Sequence, residues 1–257
     1  MEQPHREELA KAKHILEEPA FTARISNLIG MPFEKGIQHL PDSWVETLNN
    51  VSRDALEKAL KVAVVTLDNK LQTTSHELWH KFAVTVTGAG GGACGLPALA
   101  VELPISTVIM LRSIADIGRS EGEDLRQPEA RFACLQVFAL GGRATEDDAA
   151  ESGYFAVRSA LASAITEATR HIAQGGIMNE TAPILLRLIA SIAGRFGIAV
   201  SQKAAAQAIP LIGAAGGALI NLAFIDHFQG MARGHFIVRR LERLYGEDIV
   251  QAEYATL

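Results

Sequence analysis

Apolar residues recur every three to four positions through most of the chain, which is the spacing of an amphipathic helix rather than of a strand. The clearest stretch runs from Asp42 to Asp68, where Ser43 and Glu46 have capping-box spacing ahead of an apolar face. Further helices are predicted after Pro128, from about Glu146 to Gln174, after Pro183, and over His235 to Asp248 with a short polar tail behind it. Strand patterns are nearly absent, so the sequence predicts an all-α fold in a single helical domain.

Two long segments stand apart from this pattern because they contain no charged residue and are rich in glycine and alanine. They are Phe82–Val101 and Ala204–Ile225, each about as long as the roughly 20 residues that cross the hydrocarbon core of a bilayer. Their glycines at four-residue spacing suit close helix contact, either inside a soluble bundle or in lipid. A phosphate-binding loop is disfavoured, since GAGGGACG lacks the lysine of a P-loop. The glycine content disfavours strong membrane insertion, which favours two central core helices and leaves reversible membrane contact open.

Two prolines are expected to set where helices begin near these segments. Pro104 is predicted to occupy the first turn of a new helix, with Ile105, Val108 and Ile117 on the apolar side of that helix. Pro210 is predicted to kink the second segment or to restart a helix within it.

Charge and cysteine content narrow the functional classes. The net charge of −5 and the pI near 5.9 provide no basic field for a polyanion, so nucleic-acid binding is not expected. Cys94 and Cys134 lie in apolar runs and are predicted to be buried free thiols rather than a disulfide framework. The polar N-terminal residues lack the apolar core of a secretory signal, which predicts a cytoplasmic protein. Loop-forming residues before position 41 divide a helical lead-in and loop over residues 1–41 from a helical domain over residues 42–257.

One motif suggests metal chemistry, because His76, Glu77 and His80 match the pattern H-E-x-x-H. On a helix the two histidines lie one turn apart and could bind Zn²⁺, while Glu77 would polarise a bound water as general base. Against this, Thr74 and Glu77 have capping-box spacing, which would turn the Glu77 carboxylate back towards the helix N-terminus. The sequence candidates for the third ligand that zinc requires are Glu146, Asp147 and Glu151.

The C-terminal helix combines a basic run with two histidines. The basic residues are Arg233, Arg239, Arg240 and Arg243. We favour a solvated helix face whose charges are partnered by nearby acids such as Glu242, and the alternative is a contact for anionic headgroups or an acidic partner. Asp226, His227 and His235 are a candidate polar site, in which a pair of structural histidines is the favoured interpretation.

Three strings carry a resemblance to a known family, namely GAGGGACGLPALAVELPISTVIMLRSIADIGRSEGEDL, GYFAVRSAL and NLAFIDHFQGMARGHFIVRRLERLYG. In the last string, His227-Phe228-Gln229, His235-Phe236 and Arg240-Leu241-Glu242 stand in the arrangement of the EcsC family, which the chain resembles over about residues 50–246. That family takes its name from a bacterial protein encoded beside the ATPase and membrane subunits of an ABC transporter, and its molecular activity is not established. The resemblance implies a bacterial, intracellular, largely helical protein with a membrane partner, and it supplies no catalytic residues.

The leading hypothesis is therefore non-enzymatic. It is a cytoplasmic accessory or regulatory protein, peripheral at the inner face of the cell membrane, for which an apolar ligand or a membrane component of an ABC transporter is a candidate partner. The alternative is a zinc-dependent hydrolase in which His76 and His80 bind the metal and Glu77 is catalytic. A structural homo-oligomer is the third hypothesis.

Overall fold

A computed structural model describes residues 1–17, 21, 42–66, 96–142, 153–174, 182–207 and 213–257 of the chain. Every regular element within these ranges is a helix, so the predicted all-α fold is confirmed. The eight helices are α1 (Gln3–Glu17), α2 (Asp42–Thr66), α3 (Leu96–Ser120), α4 (Pro128–Leu140), α5 (Tyr154–Ala173), α6 (Pro183–Gln207), α7 (Gly213–Tyr245) and α8 (Glu247–Thr256).

The core forms between α2, α3, α6 and α7, in which α2 and α7 each pack against both α3 and α6, with α4 closing it beside α6. Four fully buried phenylalanines lie at its centre: Phe138 on α4, Phe196 on α6, and Phe224 and Phe228 on α7. Their ring centroids lie between 5.0 and 6.1 Å apart in tilted and edge-to-face pairs, the geometry that aromatic rings prefer. These contacts hold three helices that are distant in sequence in one fixed arrangement.

The helices α3 and α7 run parallel to each other and in register. Three side-chain hydrogen bonds join them, between Asn221 and Glu102, Gln229 and Ser113, and Arg240 and Glu121, at sequence separations of 119, 116 and 119. Because this sequence separation is nearly constant, residue numbers along α3 and α7 increase together, and the two helices run in the same direction. The beginnings of α3 and α7 therefore lie at one end of the molecule, and the ends of both helices lie at the other.

The structure corrects the predicted start of α3. Pro104 lies inside the helix rather than in its first turn, and the helix already begins at Leu96. A proline within a helix costs about 3 kcal/mol, but Leu99 and Leu103 are buried ahead of it, and their packing favours helix on both sides of the ring. Ile105 was predicted to lie on the apolar side of the helix, yet 49% of it is exposed, whereas Ile117 is buried as predicted.

The second charge-free segment is divided between two helices. Its first residues, Ala204 to Gln207, end α6, and its remainder from Gly213 forms the beginning of α7. The prediction for Pro210 falls outside the described residues. The C-terminal basic helix is not a separate element either, because α7 continues from Gly213 without interruption to Tyr245.

Two other predicted boundaries also change. The helix predicted from Glu146 begins at Tyr154, because Gly153 has extended backbone at ψ 151°, while its predicted end at Gln174 is confirmed. The predicted polar tail is wrong: Gly246, at φ +93°, turns the chain into α8, which buries Val250 and Tyr254. Glycine adopts positive φ without the steric penalty that a Cβ would impose.

The N-terminal helix α1 packs along α7. Its buried residues Leu9, Ala12 and Leu16 share one face, and Leu16 lies so close to Gly234 that a Cβ there would be 2.6 Å from Cγ of the leucine. Glycine is therefore needed at position 234 for the two helices to approach. The division predicted between residues 41 and 42 borders residues outside the described ranges and stays a prediction.

Candidate functional site at the glycine-rich end

The residues of the zinc hypothesis lie outside the part of the chain that the structure describes. These are His76, Glu77 and His80 together with the third-ligand candidates Glu146, Asp147 and Glu151. Among the described residues, no group of three or more His, Cys, Asp or Glu side chains is placed to hold a metal ion. The zinc site therefore stays a prediction, which the metal content of the purified protein tests against that of a His76→Ala variant.

One end of the molecule gathers the described residues of both charge-free segments. We define the glycine-rich end as residues 96–105 of α3, 202–207 of α6 and 213–224 of α7. The first segment enters α3 here through its last residues, and the second contributes both the end of α6 and the beginning of α7. The sequence prediction treated these segments as separate elements, whereas the parallel packing of α3 and α7 brings them together.

A charged cluster lies buried inside this end. Lys203 of α6 is fully buried, and its Nζ donates to both carboxylate oxygens of Glu102 on α3, at 2.9 and 3.0 Å. Asn221 of α7 donates to the same carboxylate at 3.3 Å. The Lys203 Nζ also lies 5.0 Å from the ring centroid of Phe224, within the range of a cation–π contact. The ion pair joins α6 to α3, and the Asn221 hydrogen bond ties α7 to the same carboxylate.

Burial determines the chemistry open to this lysine. Removal from water lowers the pKa of Lys203, and the carboxylate of Glu102 opposes that shift without cancelling it. In the described arrangement no part of Lys203 reaches solvent, so its amine cannot attack a dissolved substrate. The cluster is therefore suited to holding helices in place rather than to covalent catalysis.

The outer surface of the same end is apolar. Val101 and Ile105, one turn apart on α3, are 69% and 49% exposed, and Leu219 on α7 is 47% exposed. Glu102 points into the core between the two exposed α3 residues. The described residues also contain one helix, α6, that is long and apolar enough to cross a bilayer, although 44% of its most apolar stretch is buried in the protein and a core helix passes the same test. The exposed apolar residues require an explanation beyond core packing.

The arginines of α7 do not have the partners that the sequence suggested. Arg239 donates to Glu123 at 2.8 and 3.2 Å, Arg243 also donates to Glu123, and Arg240 contacts Glu121 at 2.7 Å and Glu8 of α1 at 2.8 Å. Glu242 pairs instead with Arg158 of α5. We call the group of Glu8, Glu121, Glu123, Arg239, Arg240 and Arg243 the arginine end. Its charges link α1, α7 and the turn after α3, so the prediction of local acidic partners is wrong for Arg239, Arg240 and Arg243.

Electrostatics within the arginine end favour the ionised pairs. Burial by itself would raise the pKa of Glu123, but the hydrogen bonds and positive charges of Arg239 and Arg243 outweigh that effect and lower it. The acceptor is thus held as a carboxylate at neutral pH. These arginines are committed to contacts within the chain and are poorly placed to recruit an anionic headgroup.

The two histidines of the candidate polar site, His227 and His235, have structural roles, which is the interpretation favoured from the sequence. His227 is buried and its Nε2 lies 2.9 Å from the carbonyl oxygen of Gly141. His235 is buried and shares a 2.9 Å hydrogen bond with the hydroxyl of Tyr154. Burial, followed by the charges of Arg239 and Arg158, lowers the pKa of His235 well below its usual range, so this ring is neutral. Neither imidazole is placed as a base for an external substrate.

Cys134, the cysteine that the structure describes, is also unsuited to catalysis. Cys134 is a buried free thiol, as predicted, and burial raises its pKa to about 12. A thiol with so high a pKa carries almost no thiolate at neutral pH and is a poor nucleophile. Cys94 lies outside the described residues.

The buried ion pair was not predicted from the sequence, although a signal was present. Glu102 directly follows the first charge-free segment, and Lys203 directly precedes the second. Two lone charges of opposite sign, each at the border of an apolar segment that must be hidden from water, are candidates for a buried pair.

The fold and this site define an all-helical protein whose core helices are joined by a buried ion pair and whose described residues hold no metal centre. The model of the EcsC protein family matches residues 3–241 of the 257-residue chain, and the chain belongs to that family. The resemblance inferred from sequence is confirmed, and the match extends to α1. No curated protein and no solved structure matches the chain.

Proposed function

We propose that this EcsC-family protein is a non-enzymatic accessory protein of the bacterial cytoplasm that makes reversible, peripheral contact with the inner face of the cell membrane through its glycine-rich end. The observation that supports this is the exposure of Val101, Ile105 and Leu219 at an end of the molecule whose own ionisable residues, Glu102 and Lys203, are both buried. Lipid acyl chains are then the apolar ligand of this surface.

The size of the apolar surface favours weak rather than permanent attachment. Each exposed Val, Leu or Ile side chain gains roughly 1.5–3 kcal/mol when it is fully transferred from water into apolar surroundings. Three such residues, incompletely transferred, give an affinity at which the protein exchanges between membrane and solution.

The proposal also specifies how the contact depends on lipid charge. Basic residues near a membrane surface gain about 1 kcal/mol each from anionic lipids. Arg239, Arg240 and Arg243 are already paired with carboxylates within the chain and lie at the opposite end of α7. Binding should therefore depend little on the fraction of anionic lipid and little on salt.

Vesicle flotation tests the proposal. The full chain is mixed with neutral phosphatidylcholine vesicles, and a triple variant with Val101→Ser, Ile105→Ser and Leu219→Ser is compared with the unaltered protein. The matched control is Leu244→Ser with Ile249→Ser, which removes two apolar side chains of similar exposure near the other end of α7. We expect the first variant to lose flotation and the control to retain it.

Two results would contradict the proposal. One is unaltered protein that does not float with protein-free vesicles, which would leave a membrane protein, such as a transporter subunit, or a second copy of the chain as the occupant of the apolar surface. The other is equal flotation of both variants, which would show that the glycine-rich end is not the contact.

A further inference from the structure

The helix α3 consists of two parts joined at a proline. Its first part, Leu96–Leu103, which we call the arm, precedes Pro104, and its second part runs from Ile105 to Ser120. Because proline has no backbone N–H, the carbonyl oxygen of Ala100 lacks the helical partner that another residue at position 104 would supply. A helix missing this hydrogen bond bends more readily there than elsewhere.

The arm is held to the rest of the protein by one strong polar contact. Glu102 is the only ionisable residue in the arm, and its carboxylate reaches across to Lys203 on α6 and Asn221 on α7. Among the arm's other described side chains, Leu99 and Leu103 are buried in apolar surroundings. The opposite side of the arm carries Val101, which is largely exposed.

These two features together make a device with two discrete positions. While the arm is closed, the ion pair is dry and each charge depends on the other, since either one left alone in the core would be strongly unfavourable. When the arm swings away at Pro104, both charges can regain water and the buried faces of Leu99 and Leu103 join Val101 on the surface. Intermediate positions of the arm, in which the two charges are separated but still excluded from water, are disfavoured.

We infer that the Glu102–Lys203 pair is a latch across the Pro104 hinge, which keeps the arm closed and thereby limits how much apolar surface the glycine-rich end presents to lipid. The inference rests on the proposed membrane contact for its function, while the latch itself is a property of the isolated protein. It predicts that weakening the pair opens the arm locally and strengthens membrane contact.

Hydrogen exchange tests the latch without lipid. The amides of Ala100 to Leu103 are compared with those of Met110 to Ile117, farther along the same helix, in unaltered protein and in Glu102→Gln. We expect exchange in the arm to accelerate on the order of 100-fold in the variant, because one partner of a buried pair is left without its counterion. Exchange in the second stretch should change far less.

The hinge is tested by adding Pro104→Ala to Glu102→Gln. Alanine restores the hydrogen bond to the Ala100 carbonyl, so arm exchange should fall back by about tenfold or more relative to Glu102→Gln alone. Lys203→Met breaks the same pair from α6 and should accelerate exchange in the arm of α3 as well. Should Glu102→Gln fail to fold, Glu102→Asp withdraws the carboxylate from Lys203 while preserving its charge and gives the same comparison.

Uniform acceleration over both stretches of α3, or no rescue by Pro104→Ala, would overturn the latch, since either result indicates general destabilisation rather than local opening. Flotation with phosphatidylcholine vesicles then provides the functional test, in which Glu102→Gln should bind more strongly than the unaltered protein. If exchange follows the prediction and no protein floats, the membrane proposal fails and the latch stands. If flotation follows the prediction and exchange is uniform, the latch fails and the membrane proposal stands.

Discussion

The two ends of the α3–α7 pair are joined by opposite means. At the glycine-rich end, one fully buried lysine and one carboxylate hold the helices together beneath an apolar surface. At the arginine end, three arginines share three carboxylates from different elements, and most of these side chains are partly open to solvent. A buried single pair fails completely when one partner is lost, whereas a shared network loses one contact at a time. The same two helices should therefore respond very differently to damage at their two ends.

The largest effect is expected at the buried pair. Lys203→Met removes the cation and leaves the carboxylate of Glu102 without its counterion, which costs about 3–5 kcal/mol if the carboxylate stays buried and less if the arm opens and lets it regain water. Urea denaturation measures the loss. The double variant with Glu102→Leu removes both charges and should recover most of the stability, and a double variant as unstable as the single would show that packing and not charge matters at this site.

The next effect concerns the docking of α1 near the arginine end. Gly234→Ala places a Cβ 2.6 Å from Cγ of Leu16 and should cost about 1–3 kcal/mol as α1 is forced away from α7. Gly230→Ala is the matched control, because its Cβ would meet Ile15 at an ordinary 3.6 Å and alanine favours the helix. Thermal unfolding should separate the two variants, and equal melting temperatures would argue against close α1 contact.

A smaller effect, with a distinct pH dependence, is expected at Glu123. Its pKa is lowered in the folded protein, so its pairs stabilise the fold above its unfolded pKa of about 4.5, and this contribution is lost as the pH falls through the folded value. Glu123→Gln should cost about 2 kcal/mol at pH 7, and the gap to the unaltered protein should close as the pH falls below 4.5. Urea midpoints measured over pH 3 to 7 test this, with the exposed Glu46→Gln on α2 as control. A gap independent of pH would show that Glu123 acts by packing.

The smallest effect is expected at the outermost contact of the network. Glu8 and Arg240 are both partly exposed, and Glu8→Gln should cost less than about 1 kcal/mol. High salt should erase the difference between this variant and the unaltered protein, because exposed pairs are screened. If the cost persists in high salt, the pair is better shielded from solvent than its exposure indicates.

Much of the fold could be predicted from the sequence because helical periodicity is a local signal. The helices after Pro128 and Pro183 are confirmed, as is the helix from Asp42, which ends at Thr66. Pro104 could not be placed correctly, since local preference favours a helix start while the burial of Leu99 and Leu103, a tertiary effect, decides the outcome. The uninterrupted α7 was missed for a related reason, because a change from apolar to charged composition looks like a boundary while the backbone continues through it.

The sites show the same division between local and long-range information. Both histidines of α7 could be interpreted correctly, since buried structural histidines are common and neither has a catalytic partner nearby in sequence. The partners of the α7 arginines could not be predicted, because Glu8, Glu121 and Glu123 reach α7 only through the tertiary fold. The Lys203–Glu102 pair joins α6 to α3 across 101 positions of sequence. The border position of each charge indicates burial, but no short stretch of sequence shows that the two residues meet.

The pairing of α1 with α7 has a consequence for how the protein is made. Glu8 meets Arg240 across 232 positions of sequence, so the binding surface for α1 leaves the ribosome long after α1 itself. At about 10 residues per second, roughly 20 seconds pass during which Leu9 and Leu16 have no native surface to cover them. Helix α1 is thus made well before its binding surface and reaches its final place late, and in the interval the nascent chain is exposed to aggregation or chaperone capture.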